Sequence, residues 1–185
     1  MIEFEPTALT DVVLVKPKRL RDERGFFSEV YSRRDFAEAG LSMDFVQDNH
    51  SCSAQRGTIR GLHFQTAPFA QDKLVRVTRG AILDVAVDLR RSSATFGQHV
   101  AVELSARHWT QLLVPVGFAH GFCTLEPDTE VLYKVSNYYS AEHDHGLAWD
   151  DPALRIEWPV EAKEAALSDK DRSHPSLFEL PAYFD

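Results

Sequence analysis

The chain has 185 residues, with 20 Lys and Arg against 28 Asp and Glu, so its formal net charge is −8. Hydrophobic residues make up 44% of it, which excludes a disordered chain and is typical of a folded domain of this length. The acidic balance argues against a general nucleic-acid or membrane-surface binder, since either would need a basic face.

The sequence also lacks the usual marks of export and membrane insertion. No apolar run approaches the roughly 20 residues that cross a bilayer. The first eleven residues carry acids and a proline where a signal peptide needs basic and apolar stretches. Cys52 and Cys123 are too few for a disulfide framework. We therefore expect a cytoplasmic protein that binds neither nucleic acid nor membrane.

The predicted elements are mostly strands. Ser32 and Asp35 frame the start of a short helix over 33–39, which ends before Gly40. Five β-branched or alternating stretches then predict strands over 74–78, 81–89, 99–104, 110–115 and 129–139. A second short helix is predicted over 161–167, where EAKEAAL is rich in helix formers.

The stretch 81–89 alternates clearly. Its aliphatic face consists of Leu83, Val85, Val87 and Leu89. Asp84 and Asp88 point the other way, as in a half-buried strand. In a small barrel such a polar residue faces either water or the lumen, and the sequence leaves both possibilities open.

Short strands at regular spacing indicate an all-β fold, an antiparallel sandwich or barrel with a few short peripheral helices. The helices are too few and too short for an alternating βαβ fold. Because there is no repeat, low-complexity segment or Gly/Ser linker, we expect a single domain over 1–185.

Local charge departs from the acidic average. Between residues 56 and 79 there is one acid, Asp72, and five basic residues, namely Arg56, Arg60, Lys73, Arg76 and Arg79. A basic island of this kind is typical of a site for a small anionic ligand. A solvated strand face would give the same pattern, and charge alone favours that interpretation.

Two stretches carry candidate functional groups. Residues 56–65 read RGTIRGLHFQ, and residues 115–122 read PVGFAHGF. The second resembles the later half of the cupin signature, Pro-x-Gly-x-x-His, whose histidine points into the barrel. A metal-binding cupin shows His-x-His and then Glu in the first half, but here the place reads His63-Phe64-Gln65. Since a first-row metal needs about three protein ligands, His63 and His120 alone predict a cupin without metal.

Eight motifs occur in a fixed order along the chain. They lie at 24–29 (RGFFSE), 47–49 (QDN), 57–63 (GTIRGLH), 71–76 (QDKLVR), 117–122 (GFAHGF), 133–134 (YK), 149–152 (WDDP) and 168–171 (SDKD). Together, over about residues 4–177, they resemble the dTDP-4-dehydrorhamnose 3,5-epimerase family. The resemblance implies a cupin-type jelly roll and a cofactor-independent isomerase that acts on a dTDP-4-keto-6-deoxy sugar in dTDP-L-rhamnose biosynthesis.

The chemistry of such a substrate defines the groups that are needed. Carbons 3 and 5 flank the C4 ketone, so enolate formation acidifies their protons. Epimerisation then needs a base on one face of the ring, an acid on the other, and a group that stabilises the enolate oxygen.

The resemblance implies four catalytic residues. His63 is the base, and Asp171 orients it and stabilises its imidazolium. Tyr133 is the acid on the opposite face, and Lys73 stabilises the C4 oxyanion. Each residue has a structural alternative. His63 would then be a core histidine, Asp171 a capping-box partner for Ser168, Tyr133 an ordinary strand tyrosine and Lys73 a solvated lysine.

The resemblance also implies a set of substrate-binding residues, namely Arg24, Glu29, Gln47, Asp48, Asn49, Arg60, His120, Tyr138, Asp144 and Lys170. Arginine suits the diphosphate because its planar fork donates two bonds at once. Tyr138 is expected to lie against thymine. Asp144 stands where relatives usually have Glu, one methylene longer, and Lys170 is its expected partner.

The resemblance further implies an assembly. The segment of about residues 1–50 is expected to contribute to a homodimer whose sites are shared between subunits. The segment of about 160–185 is expected to pack on the barrel.

Three other functions stay open from the sequence. An epimerase of the same fold would act only at C3 or only at C5. A catalytically silent sugar-nucleotide-binding cupin would lack the base or the acid, although both are present here. A metal-dependent cupin isomerase or dioxygenase would hold stoichiometric iron, manganese or zinc.

Overall fold

The computed structural model of the chain describes residues 2–185. Over this range the elements are β1 (Ile2–Pro6), β2 (Val13–Pro17), β3 (Leu20–Asp22), β4 (Gly25–Phe27), α1 (Arg33–Glu38), β5 (Gln47–Ser53), β6 (Ile59–Gln65), β7 (Lys73–Arg79), β8 (Ala81–Asp88), β9 (His99–Ser105), β10 (Gln111–Val114), β11 (Phe118–Thr124), β12 (Thr129–Val135) and β13 (Asp144–Gly146).

The strands form two antiparallel sheets and one separate hairpin. The six-stranded sheet has the order β1-β2-β10-β7-β12-β5, and the five-stranded sheet has the order β13-β6-β11-β8-β9. Within residues 2–185, strands β3 and β4 pair only with each other. The predicted all-β fold is therefore confirmed, and the two sheets are the walls between which a barrel-type site lies.

The main core lies between the two sheets. Val75 and Leu112 from the six-stranded sheet pack with Ile82, Phe118 and Phe122 from the five-stranded sheet, and all five are buried. Val75, Ile82 and Leu112 lie in strands that the sequence predicts. Phe118 and Phe122 lie on β11, for which the sequence analysis predicts no strand.

The C-terminal segment covers the outer face of the five-stranded sheet. Leu177 and Leu180 pack there against the aliphatic face of β8, including Val85 and Val87. Strand β8 is consequently buried on both faces, and the interpretation of 81–89 as half-buried is wrong. Asp84 and its neighbour on that face, Asp88, are fully buried between the sheets.

Hydrogen-bond donors stabilise the buried carboxylate of Asp88. Arg90 bonds both of its carboxylate oxygens, at 2.9 and 2.8 Å, and Ser93 and Thr95 donate to Oδ2. Burial alone would raise the pKa of this carboxyl, but these donors outweigh burial and lower the pKa to about 2.

The first predicted helix is confirmed. Helix α1 begins after Ser32, whose side chain accepts a hydrogen bond from the Asp35 amide, as the sequence indicates. At six residues it is short, and no helix within 2–185 has the length and apolar character needed to cross a bilayer.

The predicted helix over 161–167 does not form. The chain makes a single turn there, in which Ala165 donates to the Glu161 carbonyl, and then runs beside the start of β6. Ala166 bonds to Gly57 and Ile59 across a parallel bridge, which uses the backbone groups that a helix would need. Tertiary pairing overrides helix propensity in this segment.

The predicted strand over 129–139 ends early, at Val135. The Ser136 hydroxyl donates to Asp72 at 2.8 Å, and the Asn137 side chain bonds to the Pro68 carbonyl. These contacts turn the chain out of the sheet, so that Tyr138 leaves the strand.

Strands β6 and β11 approach each other closely at Gly61. A Cβ added to Gly61 would lie 2.6 Å from Gly121 Cα and 2.9 Å from the His120 carbonyl oxygen, and φ is +130°. We expect Gly61→Ala to lower the free energy of unfolding by about 3 kcal/mol or more in urea titrations, because backbone strain and overpacking add.

Gly40→Ala is the matched control. Gly40 also has a positive φ, +79°, but open space surrounds its Cα. Only the backbone strain, about 1 kcal/mol, should be lost. Equal losses in the two variants would show that the close approach of β6 and β11 is not what requires glycine.

Candidate active site

A cavity of about 260 Å³ lies between the two sheets. The residues that line it are Ser51, Arg60, His63, Lys73, His120, Phe122, Tyr133, Ser168, Lys170 and Asp171. All four predicted catalytic residues and three of the predicted substrate-binding residues are among them. The fold therefore brings together groups that are far apart in sequence, such as His63 and Asp171, which are 108 positions apart.

His63 and Asp171 form a hydrogen-bonded pair at one end of this cavity. Strand β6 places His63 between His120 on β11 and Gly146 on β13. Its Nε2 lies 2.5 Å from Asp171 Oδ1. Because Nε2 faces the carboxylate, Nδ1 is the ring nitrogen left to take a proton.

Asp171 is held from two sides. Ser168 Oγ donates to its Oδ2 at 2.8 Å and accepts from its backbone N–H at 3.1 Å. The capping arrangement and the histidine contact therefore coexist. Burial opposes ionisation of Asp171, but the bonds from His63 and Ser168 hold the pKa of this carboxyl below its usual value.

His120 pairs with a buried carboxylate in the core. Its Nε2 lies 2.7 Å from Oδ1 of Asp84, and both side chains are almost completely buried. Asp84 thus faces the interior rather than water, which resolves the ambiguity of its strand position. Its Oδ2 has no hydrogen-bond partner within residues 2–185.

Tyr133 stands on the opposite wall. It lies on β12 in the six-stranded sheet, opposite Val75 on β7 and Asn49 on β5. Burial raises the pKa of its phenol above the ordinary value of 10, so the group keeps its proton at neutral pH.

Lys73 comes from β7, on the same wall as Tyr133. Its Nζ donates to the His63 carbonyl oxygen at 3.2 Å, across the cavity. Burial lowers its pKa to about 8, while the carboxylates of Asp144 and Asp84 act in the opposite direction. A lysine in this position is mainly charged at pH 7, and its side chain is only partly exposed at the cavity wall.

Arg60 and Lys170 contribute positive charge near the rim. The Arg60 guanidinium bonds to Ser53 Oγ and to the Cys52 carbonyl. Lys170 Nζ lies 2.5 Å from Asp144 Oδ2, so the predicted partnership of these two residues is present in the structure. The shorter aspartate at 144 therefore still reaches this lysine.

Strand β5 divides its predicted residues between two faces. Gln47 and Asn49 alternate with Ser51 on the face towards the cavity, and the Gln47 amide donates to Asn49 Oδ1 at 2.9 Å. Asp48 lies on the other face, where it pairs with Lys134 at 2.9 Å. Asp48 is therefore directed away from the cavity of its own chain.

The three remaining predicted residues lie outside the cavity. Arg24 is at the tip of the β3–β4 hairpin, with a side chain 90% exposed and paired with Asp22, and Glu29 follows that hairpin. Tyr138 is exposed beyond the end of β12. Their roles stay predictions, because within one chain they do not meet the groups that line the cavity.

Sequence reasoning missed four residues at the site, one of which, Ser168, is expected from the sequence only as a capping partner of Asp171. Ser51 and Phe122 line the cavity, and period-2 alternation from Asn49 and from His120 would have found them. His174 lies 3.6 Å from Asp171 Oδ1 and has no comparable signal, since an irregular segment brings it there.

Comparisons with known proteins agree on one family. A family model described as dTDP-4-dehydrorhamnose 3,5-epimerase matches residues 6–179. The enzyme of that name from Sinorhizobium fredii is 54% identical over 181 residues, which cover 98% of this chain and 92% of the relative.

Solved structures agree as well. The Bacillus anthracis dTDP-4-dehydrorhamnose 3,5-epimerase, with TDP and PPi bound, has a TM-score of 0.92 at 53% identity, covering 95% of this chain and 99% of that one. A Legionella pneumophila 3,5-epimerase in complex with dTDP-4-keto-L-rhamnose has a TM-score of 0.93 at 40% identity, covering 98% and 96%. These matches confirm the resemblance that the eight motifs indicate and the expected cupin-type fold.

Proposed function

Because this chain belongs to the dTDP-4-dehydrorhamnose 3,5-epimerase family, we propose that it epimerises C3 and C5 of dTDP-4-keto-6-deoxy-D-glucose to give dTDP-4-keto-L-rhamnose. The observation that supports the activity most directly is the placement of His63 and Tyr133. They project from different sheets into one cavity, as a base and an acid must if they serve opposite faces of a flat enolate.

The proposed mechanism uses these residues in sequence. Nδ1 of His63 removes the proton from C3 or C5, and the buried carboxylate of Asp171 stabilises the imidazolium that forms. The electron pair moves to the C4 oxygen, whose negative charge Lys73 stabilises in a poorly solvated site. Tyr133 then donates its proton to the same carbon from the opposite face. The ketone is the electron sink, so the steps as proposed involve no redox cofactor.

The nucleotide end of the substrate is assigned to the rim. Arg60 is the cavity residue suited to the diphosphate, since its fork can exchange its bonds to Ser53 and Cys52 for phosphate oxygens. His120 and Lys170 face the sugar from the five-stranded side. Gln47 and Asn49, on the neighbouring strand β5, extend the wall that carries Tyr133.

Arg24 and Glu29 fit this scheme only if a second chain supplies them, and we include a homodimer in the proposal. The β3–β4 hairpin carries Leu20, Phe26 and Phe27 as exposed apolar side chains, which is typical of a surface that another chain covers. Two free cysteines are compatible with the reducing cytoplasm, where we place the reaction.

The experiment is proton NMR of dTDP-4-keto-6-deoxyglucose with the pure protein in deuterium oxide, without a coupled reductase. We expect deuterium at both C3 and C5. Label at only one carbon would make the protein a single-site epimerase of another deoxysugar. Binding of the nucleotide sugar with no label at either carbon would leave a non-catalytic binding protein.

Lys73 gives this mechanism a predictable pH dependence. Its ammonium is present below pH 8 and lost above it, so kcat/KM should decline with a midpoint near pH 8. In Lys73→Arg the charge persists, and the decline should move above pH 9. Lys73→Met should lose at least about 10²-fold in kcat at pH 7. An unchanged alkaline limb in the arginine variant would assign the decline to another group.

A further inference from the structure

We propose that His63, Asp171 and His174 form a zinc-binding site, in which a bound metal ion withdraws His63 from catalysis. The cupin pattern does not predict this site, because its metal ligands would come from the His-x-His place on β6. Here only His63 comes from that strand, and the other two ligands come from the C-terminal segment.

The three donor atoms are already close together. One nitrogen or oxygen from each residue lies within 4.8 Å of the others. His63 Nε2 is 2.5 Å and His174 Nε2 is 3.6 Å from the same Asp171 oxygen. Zinc binds nitrogen and oxygen at about 2.0–2.2 Å, so two ligands of a tetrahedral ion are about 3.3 Å apart. Small shifts of the two imidazoles would place the donors at that spacing.

His174 has an otherwise unexplained orientation. Its side chain is only 8% exposed, and its Nε2 has no hydrogen-bond partner within the part of the chain that the structure describes. A buried ring nitrogen without a partner costs free energy unless something binds it. This nitrogen is directed at Asp171, beside the nitrogen of His63 that binds the same carboxylate.

The His174 ring packs against the backbone of β13. A Cβ on Gly146 would lie 2.3 Å from its Cε1 and Nε2 atoms, so the ring occupies space that glycine leaves free on β13. Gly146 is paired with His63 in the sheet. The two imidazole rings lie edge to face, with centroids 5.5 Å apart.

The donor set suits zinc. Two imidazoles and one carboxylate are a ligand combination that zinc accepts, and three protein ligands leave its fourth position open. His63 is 31% exposed, so the ion has a route in from the cavity. Zinc on Nε2 would replace Asp171 as the partner of the ring and put positive charge beside it. Nδ1 would then be a poorer base.

The test measures binding directly. The chain is freed of metal with a chelator and titrated with Zn²⁺ against a chromophoric competitor. We expect one ion per chain, and at least tenfold weaker binding in both His174→Gln and His63→Gln. His108→Gln, at a histidine that is 55% exposed, is the matched control and should bind like the wild type. Near-ultraviolet circular dichroism checks that the variants are folded.

Two binding results would overturn the proposal: less than one equivalent of Zn²⁺ on the wild type, or equal affinity in His174→Gln and His108→Gln. Inhibition additionally rests on the proposed function. In the deuterium-exchange assay, Zn²⁺ should slow the wild type, a chelator should restore it, and the ratio of rates with and without Zn²⁺ should approach one in His174→Gln. Zinc binding without any epimerase activity would overturn the function and leave the site.

Discussion

Replacing His63 with alanine is expected to lower kcat/KM by at least about 10³-fold and to abolish deuterium exchange at both C3 and C5. The same imidazole removes the proton from both carbons in the proposed mechanism, so its loss should stop deuterium exchange at C3 and at C5. The side chain is partly exposed to the cavity, and its removal leaves the sheet pairing of β6 intact. Loss of activity should therefore come without loss of fold.

The contacts behind His63 supply a graded set of controls. Asp171→Asn removes the charge that stabilises the imidazolium and should cost about 10²-fold or more. Ser168→Ala removes one hydrogen bond to the other oxygen of Asp171 and should cost less than about tenfold. Exchange in His63→Ala within tenfold of the wild-type rate would exclude this residue as the base.

The strands of this protein are predictable from sequence where packing repeats along them. Stretch 81–89 alternates because Val85 and Val87 pack on the C-terminal segment, and that periodicity is visible in the sequence. The burial of Asp84 on its other face is not visible, because it depends on a second sheet formed from distant strands. Periodicity gives the direction of a side chain, and topology decides what it meets.

The segment 161–167, which the sequence predicts as a helix, shows where helix propensity misleads. Its composition favours a helix, but the backbone of Ala166 pairs with Gly57 and Ile59. Propensity amounts to tenths of a kcal/mol per residue and yields to such pairing. A segment without periodic apolar contacts carries no sequence signal that would reveal this competition.

The candidate site follows the same division. His63, Lys73, Tyr133 and Asp171 are recognisable from motifs, and the cavity brings all four together. His174 carries no motif weight of its own, and only the fold places it beside Asp171. The role of Arg24 stays a prediction, since within one chain its exposed side chain does not meet the groups that line the cavity.

Tyr133→Phe should separate proton abstraction from inversion. We expect formation of the epimerised product to fall by about 10²–10⁴-fold, whereas deuterium exchange with retention should survive, because His63 can return a solvent-derived proton to the face it came from. Phenylalanine keeps the partly buried ring and removes only the hydroxyl, so packing between β12 and β7 is preserved. KM should change little.

Tyr139→Phe is the control for this substitution. This variant also removes a phenol hydroxyl near the site, one that donates to Asp144 at 3.1 Å. The Tyr139 ring, however, is 60% exposed and lies outside the cavity. The variant's activity should stay within a few-fold of wild type. If Tyr133→Phe lost exchange as completely as His63→Ala, proton removal would itself require the phenol. The two walls of the cavity would then act on one step, and the division into a base on the five-stranded sheet and an acid on the six-stranded sheet would be wrong.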